Sequence, residues 1–324
     1  MSDTVVLSDD KTVSPEIRAE ILEPAGVEIE ILQEKTEDAV AAALEDAAGV
    51  IVDAGTPITE RVLEGARNLK VVGRAGIGVD NVDVTAAAER GVTVVNVPDY
   101  CLDEVSTHAL ALLLSCVRSV PRYDRQTRAG GWDWEAGREM FRLRGRTLGL
   151  AGFGNIARRL ASKVRTLGVD VIAYDPYVDA SEMVDYGVEQ VDFDGLLERS
   201  DYISVHLPLS SETEGLFDAD AFAAMDDDAI LVNTGRGGVV DESALSEALE
   251  KDVIGRAGLD VLEEEPPDPD NPLLASDDAV VTPHAGWYSE EARRELARSV
   301  AADVAAVLDG EEPTNPVDPD TPWV

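Results

Sequence analysis

The sequence predicts an α/β protein with two doubly wound parallel-sheet domains. Its 324 residues, of which 44% are hydrophobic, are enough to form two separate cores. Short apolar runs alternate with amphipathic stretches along most of the chain, which is typical of parallel strands joined by helices. One strand–turn–helix unit in the middle of the chain has a glycine-rich turn, whereas the first such unit lacks one. We therefore expect two different α/β domains.

The first hundred residues predict strands and helices in strict alternation. Ser14 and Pro15 would begin the first helix as N-cap residue and first-turn proline. The segment Pro98–Asp103, which follows the last of these strands, is interpreted as a hinge. Strands are predicted at Val5–Leu7, Val27–Leu32, Val50–Asp53, Leu69–Gly73 and Val92–Val97, and further helices at Thr36–Ala48, Thr59–Ala66 and Val84–Arg90.

Beyond the hinge, a long apolar helix at Val105–Val120 leads into the domain with the glycine turn. A final amphipathic helix at Ser289–Leu308 is expected to return to the first domain. The predicted division is therefore a discontinuous first domain, residues 1–100 with 290–324, and a second domain, residues 101–289, with a cleft between them. Strands of the second domain are predicted at Leu148–Ala151, Val169–Tyr174, Tyr202–Leu207, Ile230–Thr234, Ala257–Val261 and Val280–Thr282.

The glycine turn has the context of a Rossmann dinucleotide-binding site. Gly152 permits the tight turn after the strand, and Gly154 lets the backbone approach a pyrophosphate. Ala157 is small enough for close packing of helix on strand, and the helix N-terminus offers N–H groups to phosphate. Asp175 follows the next strand, where an acid can bind both ribose hydroxyls. These residues predict NAD as the cofactor, because Asp175 would repel the 2′-phosphate of NADP.

The charge balance excludes whole classes of partner. The net charge is −38, with 65 acidic against 27 basic residues, so nucleic-acid and anionic-membrane binding are not expected. This acid-rich composition resembles that of proteins from salt-loving organisms. Cys101 and Cys116 have no metal-ligand spacing, so we expect no metal site and two reduced thiols in a cytoplasmic protein. We find neither a signal peptide nor an apolar run long enough to span a membrane.

Three polar loops follow predicted strands of the second domain, where open α/β sheets place their ligands. Arg236 lies between glycines just after a strand, and its guanidinium could bind a carboxylate with two hydrogen bonds. His284 follows another strand and suits proton transfer near neutral pH. Glu265 could orient His284 and favour its protonated form.

These motifs together resemble the D-isomer-specific 2-hydroxyacid dehydrogenase family over almost the whole chain. The resemblance implies a Rossmann NAD-binding domain and a flavodoxin-like substrate domain. The motifs are RAGIGVDNVD at Arg74–Asp83, GFGNIA at Gly152–Ala157, VHLPL at Val205–Leu209, NTGRGGVVDE at Asn233–Glu242, LDVLEEEP at Leu259–Pro266 and TPHAGWYSEEA at Thr282–Ala292.

By that resemblance Arg236, Glu265 and His284 are the catalytic residues. Asp260 would hold the nicotinamide amide, and the substrate would contact Arg236, His284 and Trp287. The loop that binds the substrate carboxylate in the first domain would be Ala75, Gly76, Ile77 and Gly78. The remaining residues expected to bind the cofactor are Gly152, Phe153, Gly154, Asn155, Ile156, Asp175, His206, Pro208, Thr213 and Thr234.

The resemblance leaves the substrate open. The motif at Arg74–Asp83 is similar to phosphoglycerate dehydrogenases, whereas Trp287 is closer to the C-terminal-binding-protein branch of NAD-sensing interaction proteins. Asp53 stands at the end of the third strand, where phosphoglycerate dehydrogenases often carry an arginine for phosphate, and this argues against a phosphorylated substrate. Glu265 argues against formate dehydrogenase, which has glutamine there. We interpret His108, in the long helix, as structural or as a support of the site.

We therefore expect an NAD-dependent oxidoreductase that interconverts a D-2-hydroxyacid and its 2-keto acid. The alternatives are a D-3-phosphoglycerate dehydrogenase and an NAD-sensing interaction protein that binds a partner peptide. The family is usually dimeric through the long helix near residues 103–130, which implies a homodimer.

Overall fold

The computed structural model of the protein describes residues 3–137 and 139–321. The chain forms two compact units, one up to Tyr100 and again from Ser289, the other Cys101–Tyr288. The division falls inside the segment Pro98–Asp103 that the sequence suggests as a hinge. It differs from the predicted limits at Ser289, which belongs to the first unit because its hydroxyl accepts the N–H of Ala292 and caps the last helix.

The first unit contains five parallel strands in the order β2-β1-β3-β4-β5, the flavodoxin-like doubly wound arrangement. Three of its helices begin at a side chain that accepts a backbone N–H three residues later, namely Thr36, Thr59 and Asp83. The elements are β1 (Thr4–Leu7), α1 (Pro15–Ile17, continued by a π turn at Arg18–Leu22), β2 (Glu28–Ile31), α2 (Glu37–Leu44), β3 (Gly49–Val52), α3 (Glu60–Gly65), β4 (Val71–Arg74), α4 (Val84–Glu89) and β5 (Thr93–Val95).

The second unit contains seven parallel strands in the order β12-β11-β10-β9-β6-β7-β8. The direction of winding changes between β6 and β9, the position where doubly wound sheets bind ligands. The elements are α5 (Leu102–Val117), α6 (Val120–Arg128), β6 (Thr147–Ala151), α7 (Asn155–Arg165), β7 (Asp170–Tyr174), α8 (Ala180–Asp185), β8 (Glu189–Gln190), α9 (Phe193–Arg199), β9 (Tyr202–Val205), α10 (Ala219–Ala223), β10 (Ile230–Asn233), α11 (Glu242–Glu250), β11 (Arg256–Leu259), α12 (Pro272–Ala275) and β12 (Ala279–Val281).

The last helix, α13 (Glu290–Leu308), packs on the sheet of the first unit. Its Val300 and Val304 are fully buried over Gly73 of β4. A Cβ at position 73 would lie 2.7 Å from Val304 Cγ2 and 2.8 Å from Val300 Cγ2, so only glycine allows this approach. The opposite face of the same sheet is covered by a separate apolar core that includes Val40, Leu44 and other residues of α2, α3 and α4.

The predicted two-domain parallel-sheet fold is confirmed, and three local predictions need correction. The helix predicted at Thr36–Ala48 ends at Leu44, and the one predicted at Val105–Val120 spans Leu102–Val117. Ser119 adopts a left-handed φ of 49°, which breaks the chain before α6. Ser14 occupies the predicted N-cap position, but its side chain makes no capping hydrogen bond to the backbone. Among the described residues no helix is both long and apolar enough to cross a bilayer.

Candidate active site

The glycine turn after β6 lies where the winding of the second sheet reverses. Gly152 has a φ of 91°, and a Cβ there would lie 2.7 Å from the carbonyl oxygen of His206, which follows β9. Gly154 has open space around the position of a Cβ, so a ligand could approach its backbone. Helix α7 begins at Asn155 without a side-chain cap. Its first N–H groups therefore remain available for an anion.

Asp175 follows β7 and turns back toward the glycine turn. Its Oδ2 accepts the N–H of Phe153 at 2.8 Å, and its Oδ1 accepts the N–H of Tyr177 at 2.9 Å. The Tyr177 hydroxyl donates to Glu212 Oε2 at 2.6 Å, so a second carboxylate lies close to this loop. The contacts of Asp175 and Glu212 described here include no basic side chain, so the two carboxylates would repel a further phosphate group placed beside them.

Four other residues expected to bind the cofactor lie on the loops after β9 and β10. His206 Nε2 lies 2.9 Å from Ser204 Oγ, and burial lowers the pKa of His206 to about 4, so its ring is neutral at physiological pH. Thr213 uses its hydroxyl within its own loop, where it donates to the Pro208 carbonyl at 2.6 Å. Thr234 Oγ1, in contrast, is buried without a hydrogen-bond partner in the described part of the chain. Such a group normally has a partner, so Thr234 has unused capacity for a ligand.

Arg236 is presented by a tight loop after β10. The side chain of buried Asn233 shapes this loop: its amide donates to the Arg236 carbonyl at 2.9 Å, and its oxygen accepts the N–H of Gly235 at 3.0 Å. A Cβ at Gly237 would lie 2.0 Å from the carbonyl carbon of Leu262, so the loops after β10 and β11 are in close contact there. The Arg236 guanidinium donates a hydrogen bond to the Gly235 carbonyl, and a guanidinium carries five N–H donors in a planar fork that matches a carboxylate.

His284 and Glu265 form a direct pair on the loops after β12 and β11. His284 Nδ1 lies 2.7 Å from Glu265 Oε2, and each side chain is about one-third exposed, 35% and 37%. Glu265 Oε1 accepts the N–H of Leu262 at 3.0 Å, which fixes the carboxylate. His284 adopts a left-handed φ of 51°, an unusual conformation for a non-glycine residue. The pairing at Nδ1 leaves Nε2 as the nitrogen that can exchange a proton with a ligand.

Asp260, at the end of β11, holds the loop that carries His284. Its carboxylate accepts hydrogen bonds from the Thr282 hydroxyl at 2.6 Å, from Ala285 N–H at 2.9 Å and from Gly286 N–H at 2.7 Å. Burial would raise the pKa of Asp260, but hydrogen bonds from His108, Thr282 and the two N–H groups hold it below its usual value. The structure therefore gives Asp260 a supporting contact with the histidine loop in addition to its expected contact with nicotinamide.

His108, in α5, belongs to the same network. Its Nε2 lies 2.9 Å from Thr282 Oγ1 and 3.2 Å from Asp260 Oδ1. The sequence suggested a structural or supporting role, and these distances identify the residues that His108 contacts. Asn233 is a site residue that was not predicted from the sequence, although its position just before Thr234 and Arg236 was a usable signal. Trp287, three residues after His284, packs edge-to-face on Tyr288 with the ring centres 5.6 Å apart.

The loop Ala75–Gly78 of the first unit presents free backbone donors. Gly76 has a φ of 153°. Its carbonyl accepts the N–H of Val97 at 2.9 Å, and this hydrogen bond fixes the position of the loop. The Ile77 carbonyl accepts from the Asn96 amide at 2.6 Å. The N–H groups of Ile77 and Gly78 have no hydrogen-bond partner within residues 3–137 and 139–321. Successive free N–H groups of this kind can bind an anion such as a carboxylate.

Residues 110–286 match the family model described as D-isomer specific 2-hydroxyacid dehydrogenase, NAD binding domain. The chain is 40% identical over 301 residues, 92% of its length, to a D-3-phosphoglycerate dehydrogenase of Methanocaldococcus jannaschii, of which it covers 56%. It is 41% identical over 251 residues, 76% of its length, to a hydroxypyruvate reductase of Thermotoga maritima, of which it covers 80%. The chain thus spans about half the length of the phosphoglycerate dehydrogenases that it matches.

Structural comparison agrees with the sequence matches. A crystal structure of a glyoxylate reductase from Paecilomyes thermophila superposes with a TM-score of 0.89 and 27% identity, covering 99% of both chains. The glycine turn at the switch point and the histidine–glutamate pair lie within the residues that the family model matches. With this match and these relatives, the chain belongs to the D-isomer-specific 2-hydroxyacid dehydrogenase family.

Proposed function

We propose that the protein catalyses the reversible, NAD(H)-dependent interconversion of a D-2-hydroxyacid and its 2-keto acid. The observation that carries this proposal is the 2.7 Å pair of His284 and Glu265, at the same sheet edge as the dinucleotide-type turn. Family membership supports the reaction class. The names of two similar proteins, a hydroxypyruvate reductase and a glyoxylate reductase, suggest a small 2-keto acid as substrate.

The residues around the glycine turn fit an NAD(H) molecule. Gly154 and the uncapped start of α7 suit the pyrophosphate, Asp175 suits the ribose hydroxyls, and the unpartnered Thr234 hydroxyl offers a further contact. When bound, NADH would supply the hydride that reduces C2 of the keto acid. The carboxylates of Asp175 and Glu212 favour NADH over NADPH.

The side chains around the reacting carbon have distinct roles in this proposal. Arg236 binds the substrate carboxylate and polarises the C2 carbonyl. In reduction, protonated His284 donates the proton from Nε2 to the C2 oxygen as negative charge develops there. In oxidation, neutral His284 accepts the hydroxyl proton at Nε2. Glu265 accepts the Nδ1–H in both directions, so it fixes the tautomer that has its lone pair on Nε2 and stabilises the protonated ring.

D-3-phosphoglycerate dehydrogenase remains the second candidate activity. It is favoured by several relatives of that name, which are about as similar to this chain as the hydroxypyruvate reductase is. We also propose a homodimer in the cytoplasm, on the basis of the family resemblance and of Cys101 and Cys116, which are buried and not joined in a disulfide.

A panel of 2-keto acids with NADH, at low and molar KCl, tests the proposed activity. The panel contains hydroxypyruvate, pyruvate, phenylpyruvate and 3-phosphohydroxypyruvate, and the oxidation of NADH is followed by absorbance. We expect turnover with at least one of them, and His284→Ala should lose about 10²–10⁴-fold in kcat. NADH binding by that variant, measured by fluorescence, should persist because Gly154, the start of α7 and Asp175, which suit the pyrophosphate and ribose, are unchanged.

Two outcomes would contradict the proposal. Near-normal turnover by His284→Ala would remove this residue from the mechanism. Tight NADH binding without turnover of any keto acid would favour the interaction-protein alternative, which a peptide pull-down with and without NADH would then examine.

A further inference from the structure

Asp303 is a buried acid of the first unit that has no role in the proposed reaction. It lies in the middle of α13, and 3% of its surface is exposed. Its Oδ1 accepts the N–H of Thr314 at 2.7 Å, and its Oδ2 accepts the side-chain amide of Asn315 at 3.0 Å and the N–H of Asn315 at 3.3 Å. We refer to residues 314–317 as the tail segment. Asp303 therefore holds the start of the tail segment against α13.

The tail segment pairs with β5, which is the edge strand of the first sheet. The pairing is antiparallel: the N–H of Val317 donates to the carbonyl of Val94 at 2.8 Å, and the N–H of Asn96, just after β5, donates to the carbonyl of Asn315 at 3.2 Å. The side chain of Val317 also packs against the apolar core of this unit. The tail segment therefore fixes the position of the chain at the end of β5, including Asn96.

Asn96 and Val97 bind two consecutive carbonyl groups of the loop after β4. The Asn96 side chain donates to the Ile77 carbonyl at 2.6 Å, and the Val97 N–H donates to the Gly76 carbonyl at 2.9 Å. Each carbonyl shares a planar trans peptide group with the N–H of the next residue, and the two groups point in opposite directions. Fixing the Gly76 carbonyl therefore fixes the N–H of Ile77, and fixing the Ile77 carbonyl fixes the N–H of Gly78. These two N–H groups are the donors that can bind a carboxylate.

We propose that Asn96 is a positioning residue for the substrate carboxylate, and that Asp303 supports Asn96 through the tail segment. The inference rests on the proposed function, because it assumes that the loop Ala75–Gly78 binds the carboxylate. Without the Asn96 amide, the Ile77 carbonyl loses its donor, and the peptide group that carries the N–H of Gly78 can rotate away from the ligand. The cofactor is held by the glycine turn of the second unit in the proposed function, so its affinity does not depend on this peptide group.

The first test compares the KM for a keto acid with the KM for NADH in the wild type and in Asn96→Ala. The keto acid is the one that the wild type turns over best in the panel. We expect its KM to rise about tenfold, as for the loss of one hydrogen bond to a charged group. The KM for NADH should not change, and kcat should change less than the keto-acid KM. Asn68→Ala is the matched control, because exposed Asn68 precedes β4 and therefore lies at the opposite edge of the same sheet.

The second test examines the link from Asp303 to Asn96. Asparagine at position 303 has one oxygen for three N–H donors, so Asp303→Asn should raise the keto-acid KM about threefold. In the Asn96→Ala background it should raise this KM no further, because both changes act on the same loop carbonyl. Asp309→Asn, at the exposed end of α13, removes the same charge and should have no effect. Asn315→Ala replaces Asp303→Asn should that variant fail to fold by circular dichroism, with the same expected direction.

The outcomes separate this inference from the proposed function. An unchanged keto-acid KM in a folded Asn96→Ala protein would overturn the role of Asn96, and effects that multiply in the double variant would overturn the link to Asp303. Absence of all turnover by the wild type would instead count against the proposed function. The positioning is then measured by hydrogen exchange with mass spectrometry. The peptide that contains residues 75–78 should exchange faster in Asn96→Ala and in Asp303→Asn than in the wild type and the two controls, and equal exchange in all of them would refute the inference.

Discussion

Replacing Glu265 with glutamine changes one atom in the contact with His284 and keeps the shape of the side chain. In the structure Glu265 Oε2 faces His284 Nδ1 at 2.7 Å, while Oε1 accepts the N–H of Leu262 at 3.0 Å. A glutamine must keep its oxygen toward Leu262, since its amide group would otherwise oppose another N–H. Its NH₂ group then donates to His284 Nδ1, and the proton of the neutral ring moves to Nε2.

This change should affect the two reaction directions unequally. In oxidation a neutral His284 with its proton on Nε2 cannot accept the substrate proton, so we expect a loss toward the upper part of the roughly 10²–10⁴-fold range of acid–base catalysis. In reduction the variant loses the attraction between the negative Glu265 carboxylate and the protonated His284 ring. Two charges about 4 Å apart interact by about 1–4 kcal/mol, and exposure of both side chains places the value near 1–2 kcal/mol. That corresponds to a loss of about 5–30-fold in kcat.

The measurement is kcat for NADH oxidation and for NAD⁺ reduction with one substrate pair, across pH 5–9. Glu264→Gln removes a charge from the adjacent exposed residue and is the matched control. Equal small losses in both directions, or turnover like that of the Glu264→Gln protein, would refute the assignment of Glu265.

The remaining predictions concern the cofactor, acid stability and salt. The wild type should show a higher kcat/KM with NADH than with NADPH, and Asp175→Ala should narrow that difference; equal kinetics in the wild type would argue against a role for Asp175. Burial lowers the pKa of His206 to about 4 in the folded protein. As the pH drops from about 6.5 to 4, the unfolded state therefore binds a proton that the folded state does not. The free energy of unfolding should fall over this range by at most about 3 kcal/mol. His206→Gln should reduce this fall in urea titrations, and an identical pH dependence would contradict it. The net charge of −38 predicts that the melting temperature and NADH affinity rise from millimolar to molar KCl, and a flat or falling melting temperature would show that the acids are not a salt adaptation.

The sequence was sufficient for the order of the main strands, because buried parallel strands leave continuous apolar runs such as Val50–Val52. It was less informative for the short elements between Asp175 and Val281. The helices there have nine residues or fewer, and β8 has two, both exposed. Elements of that length show little hydrophobic periodicity of their own. Helices as short as α3 and α4 could be predicted in the first unit because they alternate strictly with apolar strands.

The site shows a similar limit. Arg236, Glu265 and His284 could be selected because each follows a strand, and strand ends of a parallel sheet converge on one edge. The partners of His108 could not be predicted, because the 174 positions between it and Thr282 are bridged only by the way α5 packs on β11 and β12. The ion pairs of Lys35 with Asp9 and Asp53 likewise could not be predicted, because they join loops that follow three different strands.

The close packing of α13 on β4 has a consequence for folding of the chain during its synthesis on the ribosome. Val300 and Val304 cover Gly73 and its neighbours, yet they are synthesised more than two hundred residues later. Until then one face of the first sheet is without its cover, whereas the second unit is a continuous stretch of chain that can complete its own core. We therefore expect the second unit to complete its folding before the first unit, although its synthesis begins later. The nascent sheet of the first unit would be the species that chaperones bind and that proteases cut.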